Sequence, residues 1–302
     1  MVSKILNNCR MKIINISGGL GNQMFQYAFL LAMREATGDD CLMDASKYAT
    51  YNLHNGFELT EVFDVSARCA TKQELKKVTR YTTNYKLSRV YRKFLPKKKT
   101  EVIEPMPSCT YMADIFSKAR GDLFYEGIWQ NERYFSQVRP LILKEFTYKH
   151  SMSEQNKAAS EKFAQKLTVS LHIRRGDYLL HKNYIGLCGI DYYTEAINYV
   201  KDKYGTDIQF AIFSNDMPWC QENIMPMIEE YDCTLVDWNK GKESYNDIRL
   251  MGFCRVNIIA NSSFSWWAAY LNQNEDKEVI APAKWTNMPV EFKRQLDGWT
   301  LF

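Results

Sequence analysis

Apolar positions along this chain of 302 residues fall into two ordered blocks separated by a less regular stretch. Lys12–Ile16 is a β-rich run, a glycine-rich segment follows at 18–21, and Asn22–Thr37 carries a helical pattern that Gly38 stops. Cys41–Met43 reads as the next strand. From residue 166 the alternation returns, with apolar β-type runs at Leu167–Ile173, Ile208–Phe213, Thr234–Val236, Val256–Ala260 and Val279–Ala281. Between and after them lie helix-like segments at Asp191–Tyr204, Pro218–Tyr231, Ser244–Cys254 and Phe264–Leu271. Short apolar strands alternating with helices specify a doubly wound parallel sheet. The chain therefore reads as two α/β domains, 11–150 and 166–302, with the polar stretch 149–165 as a linker plus a helix. Residues from about 45 to 145 hold aromatic and basic helical pieces whose boundaries the pattern does not define.

Charged residues make up 25% and apolar ones 46%, a soluble globular balance that excludes a disordered chain. The eight cysteines stand singly with no C-x-x-C pair, which argues against structural zinc and a thioredoxin-type centre and for reduced thiols in a cytosolic protein. Two uncharged stretches, Ile13–Met33 and Val256–Asn274, are long enough to span a bilayer. Each holds several polar residues or glycines in its interior, so neither is expected to insert. The start MVSKILNNCRMK has no apolar signal core. The net charge of +4 conceals a basic segment: residues 72–99 hold eleven Lys/Arg against Glu74 alone, leaving the rest of the chain at −6. Such a segment suits an anionic membrane surface, a nucleic acid or an acidic glycan, or is simply a solvated helical surface. A non-enzymatic binder of polyanions built on it would leave the strand-end arginines below without a role.

Three segments could carry chemistry. Gly18-Gly19-Leu20-Gly21-Asn22-Gln23 lies between a strand and a helix, where glycines allow close backbone approach and a helix start favours anions; a tight turn is the alternative. It is neither a complete dinucleotide fingerprint nor a P-loop. Leu171-His172-Ile173-Arg174-Arg175-Gly176-Asp177-Tyr178 ends a strongly apolar strand, with His172 and Arg174 on one face and Arg175 on the other. Arg174 falls where parallel sheets collect ligands, and its rigid fork suits a phosphate or carboxylate. A purely structural Arg–Asp pair with Asp177 is the alternative. Asn261-Ser262-Ser263-Phe264 places hydroxyls and backbone N–H groups at a helix start, as a second anion site or as an N-cap. Asn261-Ser262-Ser263 also spells a glycosylation acceptor, which its strand-end position disfavours. Ser214-Asn215-Asp216 and Asp237-Trp238-Asn239 follow two further strands, where a carboxylate could accept from a guanine edge; simple turn formation is the alternative. No D-x-D triplet and no histidine pair at ligand spacing occurs, so no metal is expected, and a transferase of a nucleotide-activated group fits best.

At these residues the chain resembles the inverting α-1,2-fucosyltransferases that use GDP-fucose. The resemblance spans about residues 11–285 and rests on GGLGNQMFQYA (18–28), LMDASKY (42–48), GIWQNERYF (127–135), HIRRGDY (172–178), LCGIDYY (187–193), FSNDMPWC (213–220) and NSSFSWWAAYL (261–271). It implies a GT-B-like fold of two facing Rossmann-like domains, the N-terminal one on the acceptor side and the C-terminal one holding the donor. By position, Arg174 would grip the donor diphosphate, His172 would lie by the nucleotide and Asp177 would hold both arginines. Ser262, Ser263 and Phe264 would form the phosphate-binding helix start, Asp237 would meet the guanine, Asn215 would belong to the donor-binding set, and Asn22, with Gly19 and Gly21, would approach from the N-terminal domain.

The implied reaction moves L-fucose from GDP-β-L-fucose to the 2-hydroxyl of a β-galactoside with inversion, without metal or cofactor. Another linkage or another GDP-sugar is the alternative. For the general base, Asp44, Glu126, His181 and Asp191 stand as equal candidates. Animal members carry a membrane helix that is not visible here. The expectation is therefore a bacterial, cytoplasmic enzyme of surface-glycan synthesis, with any membrane contact peripheral through 72–99. Nucleic acid is not an expected partner, and the oligomeric state is left open.

Overall fold

A computed structural model describes residues 10–50, 54–105, 110–288 and 293–302. The chain divides between Lys149 and His150 into two compact α/β units.

In the first unit β1 (Met11–Asn15) leads through Gly18 and Gly19 into α1 (Leu20–Thr37) and β2 (Asp40–Asp44). Every residue of β1 is buried, and α1 is buried at nearly every position from Leu20 to Met33, so it is a core helix rather than a half-solvated one. It stops at Gly38, whose φ of 68° is the left-handed conformation of a helix C-terminus. Lys12 is fully buried within β1, where its ammonium meets Asp39 at 2.7 Å and the Gly121 carbonyl at 2.7 Å. After α2 (Leu59–Val62), α3 (Lys72–Val78) and α4 (Tyr85–Phe94) come two short strands, β3 (Glu101–Ile103) and β4 (Leu123–Glu126), then α5 (Arg139–Glu145). The four strands form a parallel sheet in the order β2-β1-β4-β3.

The second unit begins with α6 (Glu154–Gln165), capped by Ser153, so the segment expected as linker plus helix is mostly helix. The strands β5 (Thr168–Ile173), β6 (Gln209–Ser214), β7 (Asp232–Val236), β8 (Val256–Ile258), β9 (Glu278–Ala281) and β10 (Thr300–Leu301) form a wholly parallel sheet in the order β10-β9-β8-β5-β6-β7. Their connections carry α7 (Ile190–Tyr204), α8 (Met217–Asn223), α9 (Tyr245–Met251) and α10 (Ser263–Leu271). The expected helix at 218–231 is shorter: α8 ends at Asn223, and a separate 3-10 turn, Met225–Met227, holds Pro226, which could not continue an α-helix. The chain builds outward from β5 to β6 and β7, then returns to the other side of β5 with β8. The order of strands thus reverses between β5 and β8, and ligands of such sheets bind beyond the carboxyl ends at that reversal.

Among the described residues no helix is long and apolar enough to cross a membrane. The two uncharged stretches resolve into strand, loop and helix instead. The described cysteines, Cys41, Cys69, Cys188, Cys220, Cys233 and Cys254, are all free thiols; Cys9 and Cys109 lie outside the described residues.

Candidate functional site

The carboxyl ends of β5 and β8 bring two of the three sequence segments together. His172 is the second-last residue of β5, buried among neighbours that include the Phe264 ring, 5.8 Å away. Its backbone carbonyl accepts from the Tyr193 hydroxyl at 3.0 Å, which fixes the strand end against α7. Burial, reinforced by the nearby Arg174 charge, holds its imidazole down at about 3, so His172 is neutral across the working pH range. Its Nδ1 is buried and has no hydrogen-bond partner among the described residues, a state that buried polar atoms seldom keep unless a ligand or water supplies the partner.

Arg174 follows the strand directly. Its guanidinium meets Asp177 at 2.7 Å and lies over the Tyr178 ring at 5.3 Å, while 29% of its side chain stays exposed. Tyr178 in turn donates its hydroxyl to the Asn261 carbonyl at 3.5 Å, linking the arginine loop to the end of β8. There Ser262 is the N-cap of α10, its hydroxyl accepting from the Phe264 N–H at 3.3 Å, and Ser263 is the first helical residue. Arg174 and the α10 N-terminus thus follow the carboxyl ends of two adjacent strands, β5 and β8, where the strand order reverses, a cation and a positive dipole end on the same side of the sheet. Asn261 itself is buried, its side-chain amide donating to the Trp285 carbonyl at 3.2 Å, so it cannot display a glycan.

Arg175 diverges, as the strand alternation requires, but its partner differs from the expected one. Asp177 holds Arg174 alone; Arg175 pairs with Asp216 at 3.0 Å and lies over Trp219 at 4.1 Å. Its backbone N–H donates to Asn215 Oδ1 at 2.9 Å, so Asn215 shapes the loop. Gly176 has φ +42°, and a Cβ there would sit 2.5 Å from Asn215 Nδ2. The sequence marks Asp216 only as a polar residue at a strand end and gives Trp219 no role, because β6 brings both to Arg175 from some forty residues away.

Asp237 is exposed at the end of β7, two strands from β5 and so about 10 Å across the sheet. The loop that carries it is held by a polar network: Trp238 Nε1 and Asn239 Nδ2 donate to Asn156 Oδ1 at 2.8 and 3.0 Å, and Asn239 Nδ2 donates to Asp247 Oδ1 at 2.9 Å. Burial pushes the Asp247 carboxyl up to about 7, the Asn239 amide opposing it. A carboxyl raised above its unfolded value binds extra protons in the folded state, so its contribution is full at low pH and is lost as pH climbs towards and through 7. Asp247→Asn should accordingly flatten the fall in melting temperature between about pH 5 and 8. An unchanged slope would show that Asp247 is not the titrating group.

In the first unit the glycine-rich segment differs from its sequence reading. The helix starts at Leu20, so Gly21 and Asn22 belong to its first turn, and Gly19 is the N-cap. Asn22 Oδ1 accepts from Gln130 Nε2 at 2.6 Å. The Leu20 N–H at the helix start donates to Glu58, a buried carboxylate that also accepts from Asn55 Nδ2 at 3.0 Å. Burial raises the Glu58 pKa, and these two hydrogen bonds oppose that rise. The chain thus supplies an anion of its own to this helix start, which weakens the case for a phosphate at Gly19 and Gly21.

Of the four candidate bases, Asp44 and Glu126 share one cavity of about 160 Å³, lined also by Lys47, Arg80, Tyr81 and Tyr91. Asp44 accepts from the Ser46 N–H at 3.0 Å, and Glu126 pairs with Lys47 at 3.4 Å. His181 and Asp191 are exposed in the second unit, His181 stacked on Tyr184 at 4.7 Å and Asp191 in the first turn of α7.

Comparison with known proteins gives the family and the fold. The family model "Glycosyl transferase family 11" matches residues 3–301. An α-1,2-colitosyltransferase of Escherichia coli is 32% identical over 90% of this chain and 91% of its own length. The O-antigen biosynthesis glycosyltransferase WbnK of the same organism is 29% identical over 94% and 98%. Galactoside α-(1,2)-fucosyltransferase 2 of Rattus norvegicus is 28% identical over 85% of this chain and 66% of its own. Among solved structures, the NodZ α-1,6-fucosyltransferase soaked with GDP-fucose superposes with a TM-score of 0.52 at 15% identity, covering 87% of this chain and 92% of that one. An Arabidopsis thaliana FUT1 variant in complex with GDP gives 0.52 at 11%, covering 90% and 70%. The likeness to these structures gives the fold, α/β and GT-B-like. The match over nearly the whole length gives the rest: the chain is a glycosyltransferase and belongs to glycosyl transferase family 11.

Proposed function

We propose that this glycosyltransferase moves L-fucose from GDP-β-L-fucose to the 2-hydroxyl of a β-galactoside, with inversion. The reading rests above all on the position of Arg174 and the α10 N-terminus at the β5/β8 reversal. As the acceptor oxygen attacks C1 and the bond to GDP breaks, negative charge gathers on the departing diphosphate. A fixed guanidinium fork and helix-terminal N–H groups stabilise that charge without reorganising. Asp177 positions the fork. His172, being neutral, serves as a hydrogen-bonding partner for the nucleotide through its unpartnered Nδ1. Asp237, two strands away, is within the breadth of a nucleoside and takes the guanine edge. The first unit supplies the acceptor side, where Asp44 and Glu126 are the two base candidates that share a cavity. The enzyme works in the cytoplasm on galactose-ended glycans bound for the cell surface, a role that the O-antigen relative supports.

The bacterial colitosyltransferase relative favours a second donor reading. Colitose is fucose without its 3-hydroxyl, so one pocket distinguishes them only if it hydrogen-bonds that hydroxyl. Incubation with GDP-fucose and with GDP-colitose, each with a panel of β-galactosides and linkage analysis of the product, decides between them. The expected result is a 2-O-linked fucosyl product; turnover of GDP-colitose more than about tenfold faster would reassign the donor. A product with another linkage, or none, would overturn the reading.

Because arginine and a helix dipole carry the leaving-group charge in this scheme, no metal ion enters it. Activity should survive excess EDTA. A loss beyond about tenfold that Mn²⁺ or Mg²⁺ restores would contradict a leaving-group site without metal.

A further inference from the structure

Helix α4 carries a feature that the transfer reaction does not use. Leu87, Val90, Tyr91 and Phe94 recur at helical spacing and share one face. In most globular folds such a stripe packs inward. Here it points out: Leu87 is 46% exposed, Val90 48% and Phe94 72%, and Leu95, just past the helix, is 42% exposed. Ser88, about a quarter turn away, is buried, and with Tyr91 it lines the cavity that holds Asp44 and Glu126. The helix therefore rests on the unit by one edge, and its apolar stripe is left uncovered by the described residues. Along the sequence, the charges around the stripe have one sign. Lys86, Arg89 and Lys93 lie on the same helix, Lys97, Lys98 and Lys99 follow it, and no acid occurs between Glu74 and Glu101.

We propose that α4 is an interfacial helix that docks the protein on an anionic lipid surface, with Leu87, Val90 and Phe94 entering the acyl boundary and Lys86, Arg89 and Lys93 meeting the headgroups. An exposed apolar face beside a basic one is what distinguishes a helix that lies in the membrane plane from one that crosses it. Lysine stems can lie along apolar surface while their ammonium groups stay in the headgroup layer; Lys93 Nζ already stands 5.7 Å from the Phe94 ring. The basic segment alone would predict contact that salt abolishes. The uncovered stripe adds insertion, so part of the binding should resist salt. Because α4 also walls the cavity, docking would hold that cavity near the membrane surface, where a lipid-attached acceptor would be found.

The test is co-sedimentation of the full chain with vesicles of equal parts phosphatidylglycerol and phosphatidylcholine, and with phosphatidylcholine alone, at low and high salt. Two double variants at exposed positions accompany it, Val90→Ser/Phe94→Ser and Lys86→Gln/Lys93→Gln, each checked for folding by circular dichroism. Wild type should bind the anionic vesicles at least about tenfold better than the neutral ones. The serine variant should lose about tenfold or more and all salt-resistant binding, and the glutamine variant should weaken mainly at low salt. No preference for anionic vesicles, or unchanged binding of the serine variant, would overturn the proposal. So would a lipid-free dimer that the serine variant dissolves, since a second copy would then be what covers the stripe.

Discussion

Arg174→Ala should lower the transfer rate by at least about 10²-fold, the scale of losing one preorganised donor to developing charge. The fork is held by Asp177 at 2.7 Å and backed by the Tyr178 ring, so it is fixed before any ligand arrives. Arg174→Lys keeps the charge but not the planar pair of donors, and should also be severely impaired. Lys98→Ala, in the basic segment, should be nearly silent in the same assay on a soluble acceptor. Turnover and GDP affinity of the three variants, with circular dichroism to confirm folding, give the comparison. A folded Arg174→Ala enzyme with near-normal turnover would return the residue to a structural ion pair.

The largest expected stability effect lies in the other unit. Trp129 is fully buried, stacked on Phe29 at 4.3 Å, and sits at φ 51°, a conformation that only its surroundings can enforce. Glu104 Oε2 accepts from the Ile128 and Trp129 N–H groups at 2.7 and 3.1 Å, and a Cβ on Gly127 would stand 2.5 Å from Glu104 Cβ. The turn is therefore packed from both sides. Trp129→Ala should cost about 3–5 kcal/mol, against a total stability of about 5–15 kcal/mol. Leu180→Ala, at a site 91% exposed, should stay within about 0.5 kcal/mol. Urea midpoints compare the two, and a Trp129→Ala loss below about 1 kcal/mol would mean that the turn is not a structural keystone.

Much of the second unit was legible because β-type apolar residues recur through the buried strands β5, β6 and β8, as in Val169, Leu171 and Ile173 or Val256 and Ile258, with helical segments between them. In the first unit β3 and β4 were not legible: three and four residues are too few to show a period, and β3 is only half-buried. The sequence pattern starts α1 two residues late, because glycines at 19 and 21 read as loop although Gly21 is buried within the helix. Arg174 with Asp177 could be read at helical spacing along the chain. Arg175 with Asp216 could not, because their meeting depends on the pairing of β5 with β6. The Glu58 carboxylate at the α1 N-terminus gave no local signal either, since thirty-eight residues separate it from Leu20 and only the packed unit brings them together.

The most direct test of the account is the structure of the protein with GDP bound. The diphosphate should lie within hydrogen-bonding distance of the Arg174 guanidinium and the Ser263 N–H at the start of α10, with His172 Nδ1 facing the nucleotide and the guanine towards Asp237. A diphosphate held elsewhere in a fully folded complex, with Arg174 still turned only to Asp177, would contradict it.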